Sequence, residues 1–376
     1  MIPEPKDVTV DVDTEGGLRR FFAVDLEAGR ARYFDAFEKQ PLKPPPPLTP
    51  VLAESAFDQL WQAFERDYAM FVLRPEVDWT RLRERYRPAA LRCKTSYEFA
   101  TTCADMLREL RDLHVWLTLG GANVPVFDRP RPANANPAAH AAILGNLKRT
   151  GMIAWAITAE KIGFIAIYGW NEPKIEAQCA EILEQMRDTR GLIIDLRLNG
   201  GGGEPLARQV AGRFLEKEFV YGYSQFRNGP NHTNLTEKSE RRVLPKGPWR
   251  YNRPVVVLIG QKCMSSNESF IAMMGGDPDA TTMGDRTCGS SGNPKIIHLP
   301  SELTVSVPQW IDYLPDGLPL DERGIQPQVP FPTESGAFEG NRHDLLSAAL
   351  ERLRKAPLPD KPIEDRGPVI GKPRPT

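Results

Sequence analysis

The strongest constraint on this chain's fold is a set of short apolar runs separated by stretches of helical spacing. Segments 162–168 (IGFIAIY), 192–196 (LIIDL) and 255–259 (VVVLI) lack the in–out alternation of a half-exposed strand. Strands buried on both faces read this way, and parallel sheets are made of them. Between them, 175–187, 206–215 and 267–274 repeat apolar residues at three- and four-residue steps, as amphipathic helices do. Alternation of strand and helix predicts a layered α/β core. Segment 304–310 alternates instead, as an antiparallel strand would.

Around that core the pattern changes. Residues 1–40 alternate (Val8, Val10, Val12; Phe21, Ala23, Asp25) about a Gly16–Gly17 turn, which predicts a small β-rich unit. The stretch 41–50 is proline-rich, short of backbone donors, and reads as a stiff linker. From 51 to 117 the period is helical: Phe57, Leu60, Trp61, Phe64 and Tyr68, then Phe99, Cys103, Met106 and Leu107, fit about three helices, with Asp78 a cap. Residues 118–160 read as a loop-rich connection with a short helix between 138 and 149. The core is expected over 161–335, and 336–376 as a helix followed by a proline- and charge-rich tail draped on the surface or disordered.

Charge excludes some functions. Lys plus Arg number 48 against 49 Asp plus Glu, a net of −1, so a nucleic-acid partner is not expected. No apolar run reaches the ~18 residues of a membrane span. The start, MIPEPKDVTVDVDTEGG, has neither a basic n-region nor an apolar h-region, so as read the chain is cytoplasmic, or extracytoplasmic if a signal was removed. The five cysteines form no CxxC pair and have no histidine at ligand spacing, so no metal and no cofactor is expected. Most read as small buried hydrophobes, with a Cys263–Cys288 pairing left open.

Four segments could carry chemistry. Asp195 to Glu204 (DLRLNGGGGE) follows a buried strand and precedes a helix, and its glycines can turn backbone N–H groups toward an anion. No Gly-Lys-Ser/Thr follows, so it is not a P-loop; a merely tight turn is the plain alternative. Segment 260–269 (GQKCMSSNES) places Ser265 and Ser266 between strand and helix, fitting either a nucleophile or an N-cap with Glu268 closing a capping box. His114, at the end of the helical region, is a candidate general base, with His298 its rival. Asp321 or Glu322, beside Gly324, could orient a histidine or simply sit in a solvated turn.

In this order the segments resemble peptidase family S41, which includes carboxyl-terminal processing proteases, tricorn cores and the modules of interphotoreceptor retinoid-binding protein. LRDLHVWL, GLIIDLRLNGGGG, PVVVLIGQKCMSSNESF, TTMGDRTCG and LPDGLPLDERGIQPQVPFP each resemble a family motif, across about 55–335. The resemblance implies a ClpP/crotonase-like α/β core and places the nucleophile at Ser265. It places the oxyanion donors on Gly201 or Gly202 and Ser266, the base on His114, and its acidic partner on Asp321 or Glu322. The processing proteases' lysine position is Ser290 here, so the tricorn-like histidine arrangement is the one implied. Only 45 positions separate Leu117 from Ile162, too few for the PDZ domain that many processing proteases carry there. The expected activity is acyl transfer on a peptide or unfolded protein, with a homo-oligomer left open. The alternatives are a non-catalytic binder of apolar ligands or peptides on the same fold, and an esterase or amidase acting on small molecules.

Overall fold

The apolar runs form the centre of a seven-stranded sheet. In a computed structural model, which describes residues 8–13, 20–25, 30–35, 47–332 and 344–365, the spatial order begins Val329–Pro330, Ala280–Gly284, Val255–Ile259, Gly191–Asp195. It continues Ile162–Ile167, Ile153–Ile157, Lys148–Thr150. Pairing is parallel from Val329–Pro330 to Ile162–Ile167 and antiparallel through the last two strands. Every residue of Val255–Ile259 is at most 1% exposed. Burying each such side chain contributes about 1.5–3 kcal/mol, which explains why the run carries no polar residue.

Register sets the site. Val255 pairs with Leu192 and Leu258 with Asp195, so the two parallel strands end side by side. The glycine turn after Asp195 and the elbow after Ile259 therefore emerge together at the carboxyl edge, where open α/β sheets place their ligands.

A second core lies under the helical half. Helices Pro50–Asp67, Trp79–Arg92 and Ser96–Arg108 start at Thr49, Asp78 and a Thr95/Glu98 capping box. Their buried Phe57, Leu60, Phe64, Trp79 and Phe99 pack with Leu117, Leu303, Val305 and Val307 of a four-stranded antiparallel sheet. That sheet runs Lys295–Leu299, Leu303–Val307, Leu117–Leu119, Ala122–Val124. A three-stranded sheet, Ser239–Val243, Phe219–Phe226 and Trp310–Tyr313, completes the body.

The structure differs from the sequence reading in places. The supposed connection 118–160 holds the hairpin Lys148–Thr150/Ile153–Ile157, which extends the main sheet upstream of residue 161. Strands Val8–Asp13, Arg20–Asp25 and Arg30–Asp35 pair antiparallel. Residues 41–46 of the proline-rich stretch and 366–376 of the tail lie outside the described residues. The described part of the tail after helix Asp344–Arg354 lies on the body, where Ile363 exchanges hydrogen bonds with Arg187. All five cysteines are free thiols, Cys263 and Cys288 included. Among the described residues no helix is long and apolar enough to cross a membrane.

Candidate active site

Ser265 sits at the N-cap of helix Ser266–Met274 with φ 60° and ψ −132°. A non-glycine residue in that region carries strain of about 1–3 kcal/mol, which persists only where the surroundings impose it. Here they do. The Ser265 N–H donates to Ser290 O (2.9 Å) and to Glu268 Oε2 (3.2 Å). The Glu268 carboxylate thus reaches back to the helix cap as a capping box would, so capping and exposure of a hydroxyl at an elbow are served by the same turn.

The glycine turn is locked against this elbow. Asn267 Nδ2 donates to Leu196 O and Asn199 O (3.1 and 2.9 Å), and Ser266 Oγ donates to Gly202 O (2.6 Å). Gly201 N–H is already spent on Asn199 Oδ1 at 2.8 Å. Gly202 bridges Trp170 through its neighbours, Trp170 N–H to Gly201 O and Gly203 N–H to Trp170 O, which leaves the Gly202 N–H outside that bridge. Of the two glycines named from sequence, Gly201 thus has its N–H committed to Asn199. Gly201 serves by having no side chain. A methyl there would lie 2.8 Å from Ser265 Cβ and 2.9 Å from Met264 O, at φ +107°. Gly201→Ala is expected to cost about 1–3 kcal/mol in a urea titration and to displace the elbow.

The Asp195-x-Arg197 pair is structural. Arg197 makes a bidentate contact with the Asp195 carboxylate and donates to Asn134 O (2.7 Å), all buried under the turn.

His114 comes from the helical half. Its N–H donates to Asp112 Oδ1 (2.8 Å) and its carbonyl accepts from Ser306 Oγ (2.5 Å), which fixes the backbone on both sides. Asp112 in turn accepts from the Tyr68 hydroxyl (2.9 Å). Nδ1 of the imidazole lies 2.7 Å from Ser290 Oγ. Ser290 therefore touches both halves of the site, taking the Ser265 N–H with its carbonyl and meeting His114 with its hydroxyl. Burial holds the His114 imidazole below its ordinary pKa, Arg131 pushes the same way, and Asp112 opposes them.

The acidic residues lie elsewhere than expected. Asp321 pairs with Arg74 (2.8 Å), which also lies 3.9 Å from Asp112, while the His114 Nδ1 position is taken by Ser290. Burial pushes the Asp321 carboxyl up to about 7, against Arg74 and with help from Asp112. The Glu322 side chain is exposed, and its N–H donates to Gly289 O (2.8 Å). The closing motif thus braces the segment bearing Ser290 through its backbone. His298, the rival base, lies exposed on strand Lys295–Leu299 beside Thr304.

Sequence reasoning missed Ser290, Tyr68 and Arg74 as parts of this site, and saw Asp112 only as a motif letter. Ser290 had a signal, since it occupies the position where the resemblance expects a lysine.

The mixed α/β architecture, with a serine elbow and a glycine turn at one edge of the parallel strands, is similar to that of S41 peptidase structures. Residues 161–331 match the model of peptidase family S41, and 53–108 that of the tricorn protease C1 domain. These two matches, the first over a little under half of the chain, support kinship with the S41 peptidases. It is 27% identical over 172 residues to the carboxy-terminal processing protease CtpA of Bacillus subtilis (strain 168), a match covering 45% of this chain and 34% of that protein. The matched region is thus about a third of that relative's length. A candidate peptidase of Parabacteroides merdae ATCC 43184 superposes with TM-score 0.68 at 27% identity, covering 80% of this chain and 96% of the other. Mature CPAF shares the fold at TM-score 0.60 and 12% identity, covering 81% and 97% of the two chains.

Proposed function

We propose that this chain is a serine peptidase that cleaves peptide bonds through an acyl-enzyme on Ser265, with His114 as general base. The observation that carries the reading is the Ser290 link, which ties a strained serine and a buried, neutral-leaning imidazole into one unit. The matched family, a peptidase family, and the peptidase among the structural neighbours agree with it.

With Nδ1–H donated to Ser290 Oγ, the imidazole keeps its Nε2 lone pair for the Ser265 proton. The Ser265 oxygen then attacks the substrate carbonyl, and the new oxyanion is met by the Gly202 and Ser266 N–H groups. As the C–N bond breaks, the proton on His114 passes to the leaving amine. Water, deprotonated by the same imidazole, then releases the acid. Asp321 acts as a positioning residue through Arg74, which holds it beside Asp112 and the His114 backbone.

The test is hydrolysis of casein or a peptide panel together with fluorophosphonate labelling. Because the base must be neutral and its pKa is lowered, kcat/KM should rise through an acid limb below the ordinary 6.5 and stay high at neutral pH. No labelling and no turnover on any substrate would overturn the reading.

A further inference from the structure

Close to Ser265 lies a cavity of about 310 Å3 lined by the chain neighbours of the site residues. Leu113 and Val115 flank His114, Met264 precedes Ser265, and Gly200 opens the glycine turn. Its size, at the low end of ligand pockets, suits one residue of a substrate rather than a folded partner. Part of the wall is apolar, through Trp116, Val126 and Phe127, and two cations, Arg131 and Lys262, line it as well.

Arg131 is the unusual member. Its side chain is only 10% exposed, yet its donors are poorly used. Nη2 meets Asp128 at 3.0 Å, a carboxylate that is itself 72% exposed. Nη1 reaches only the thioether of Met264 (3.4 Å), and Nε has no hydrogen-bond partner among the described residues. A buried guanidinium with unspent donors loses more than one in water, because desolvation has been incurred without replacement bonds. Its planar fork matches a carboxylate in two parallel N–H···O bonds. Lys262, buried in the same wall, adds positive charge where the dielectric is low.

We propose that this cavity is a specificity pocket for a substrate carboxylate, bound by Arg131 next to the scissile bond, a proposal that rests on the peptidase reading above. The carboxylate has two sources, an Asp or Glu side chain or the α-carboxylate of a chain end. In either case apolar contacts would hold the body of the residue and Arg131 its charge.

The experiment uses the full chain and matched peptides. One pair carries Glu or Gln beside the scissile bond, and another ends in a free acid or an amide. An acid-over-neutral ratio in kcat/KM of about tenfold or more is expected in one pair, and which pair shows it names the source. Arg131→Gln should bring that ratio toward one. Asp128→Asn, which removes the competing carboxylate, should raise it, and a variant that merely folds poorly cannot give these opposite signs. Labelling by fluorophosphonate with a ratio near one in both pairs, or an unchanged ratio in Arg131→Gln, overturns the pocket and leaves the peptidase reading standing. A wild-type chain with neither labelling nor turnover sinks both.

Discussion

Replacing Ser265 by alanine is expected to lower peptide turnover on the order of 10⁴-fold or more and to abolish fluorophosphonate labelling, with little change in stability. The small stability effect follows from what alanine keeps. The backbone stays at φ 60°, ψ −132°, and the N–H bonds to Ser290 and Glu268 do not need the hydroxyl. Ser265→Gly separates the two roles of the position further. Glycine adopts this conformation freely, so the variant should lose turnover equally while gaining about 1 kcal/mol in a urea titration. A strained residue whose glycine variant is more stable and inactive is one held there for chemistry. If Ser265→Ala keeps wild-type turnover, the nucleophile lies elsewhere.

Why the elbow was legible while its supports were not comes down to sequence separation. The run 255–259 and the glycine turn announce themselves because central parallel strands exclude polar residues and a tight βα turn needs glycine. The helices were legible because Phe57, Leu60 and Phe64 face one core at helical spacing. Strands Phe219–Phe226 and Ser239–Val243 gave no such signal. Their burial is patchy, and the first is fixed by pairing with Trp310–Tyr313, far along the chain. Ser290 meets a histidine 176 positions away, and Arg74 meets Asp321 across 247. A charged pair at that distance leaves no local pattern. The expectation that an acid next to Gly324 orients His114 therefore had nothing in the sequence to test it against Ser290.

Glu268 shows how much of the site depends on one buried group. Its carboxylate accepts from four donors: Ser265 N–H (3.2 Å), Ser290 N–H (3.0 Å), Gly289 N–H (2.7 Å) and the Thr287 hydroxyl (2.5 Å). Thr287 Oγ1 in turn accepts from Ile325 N–H, so the chain of bonds runs from the elbow to the closing motif. In Glu268→Gln the amide nitrogen must face at least one backbone N–H, whichever way it is flipped, and each orphaned amide costs about 1–3 kcal/mol. We expect a loss of about 2–4 kcal/mol, and a fall in turnover because Ser290 no longer holds His114. Thr287→Val, which removes a single donor, should cost less. The pH dependence discriminates further. Burial pushes the Glu268 carboxyl up from 4.5 to about 7 despite its donors. A raised carboxyl pKa means the folded chain holds the proton more tightly than the unfolded one. Its stabilising contribution is then complete below pH 4.5 and lost as pH rises through about 7. Wild-type stability should therefore fall over that window more than the glutamine variant's, so the gap between them narrows toward pH 8. A gap that widens instead would mean that the four donors outweigh desolvation and that the elbow is built around an anion.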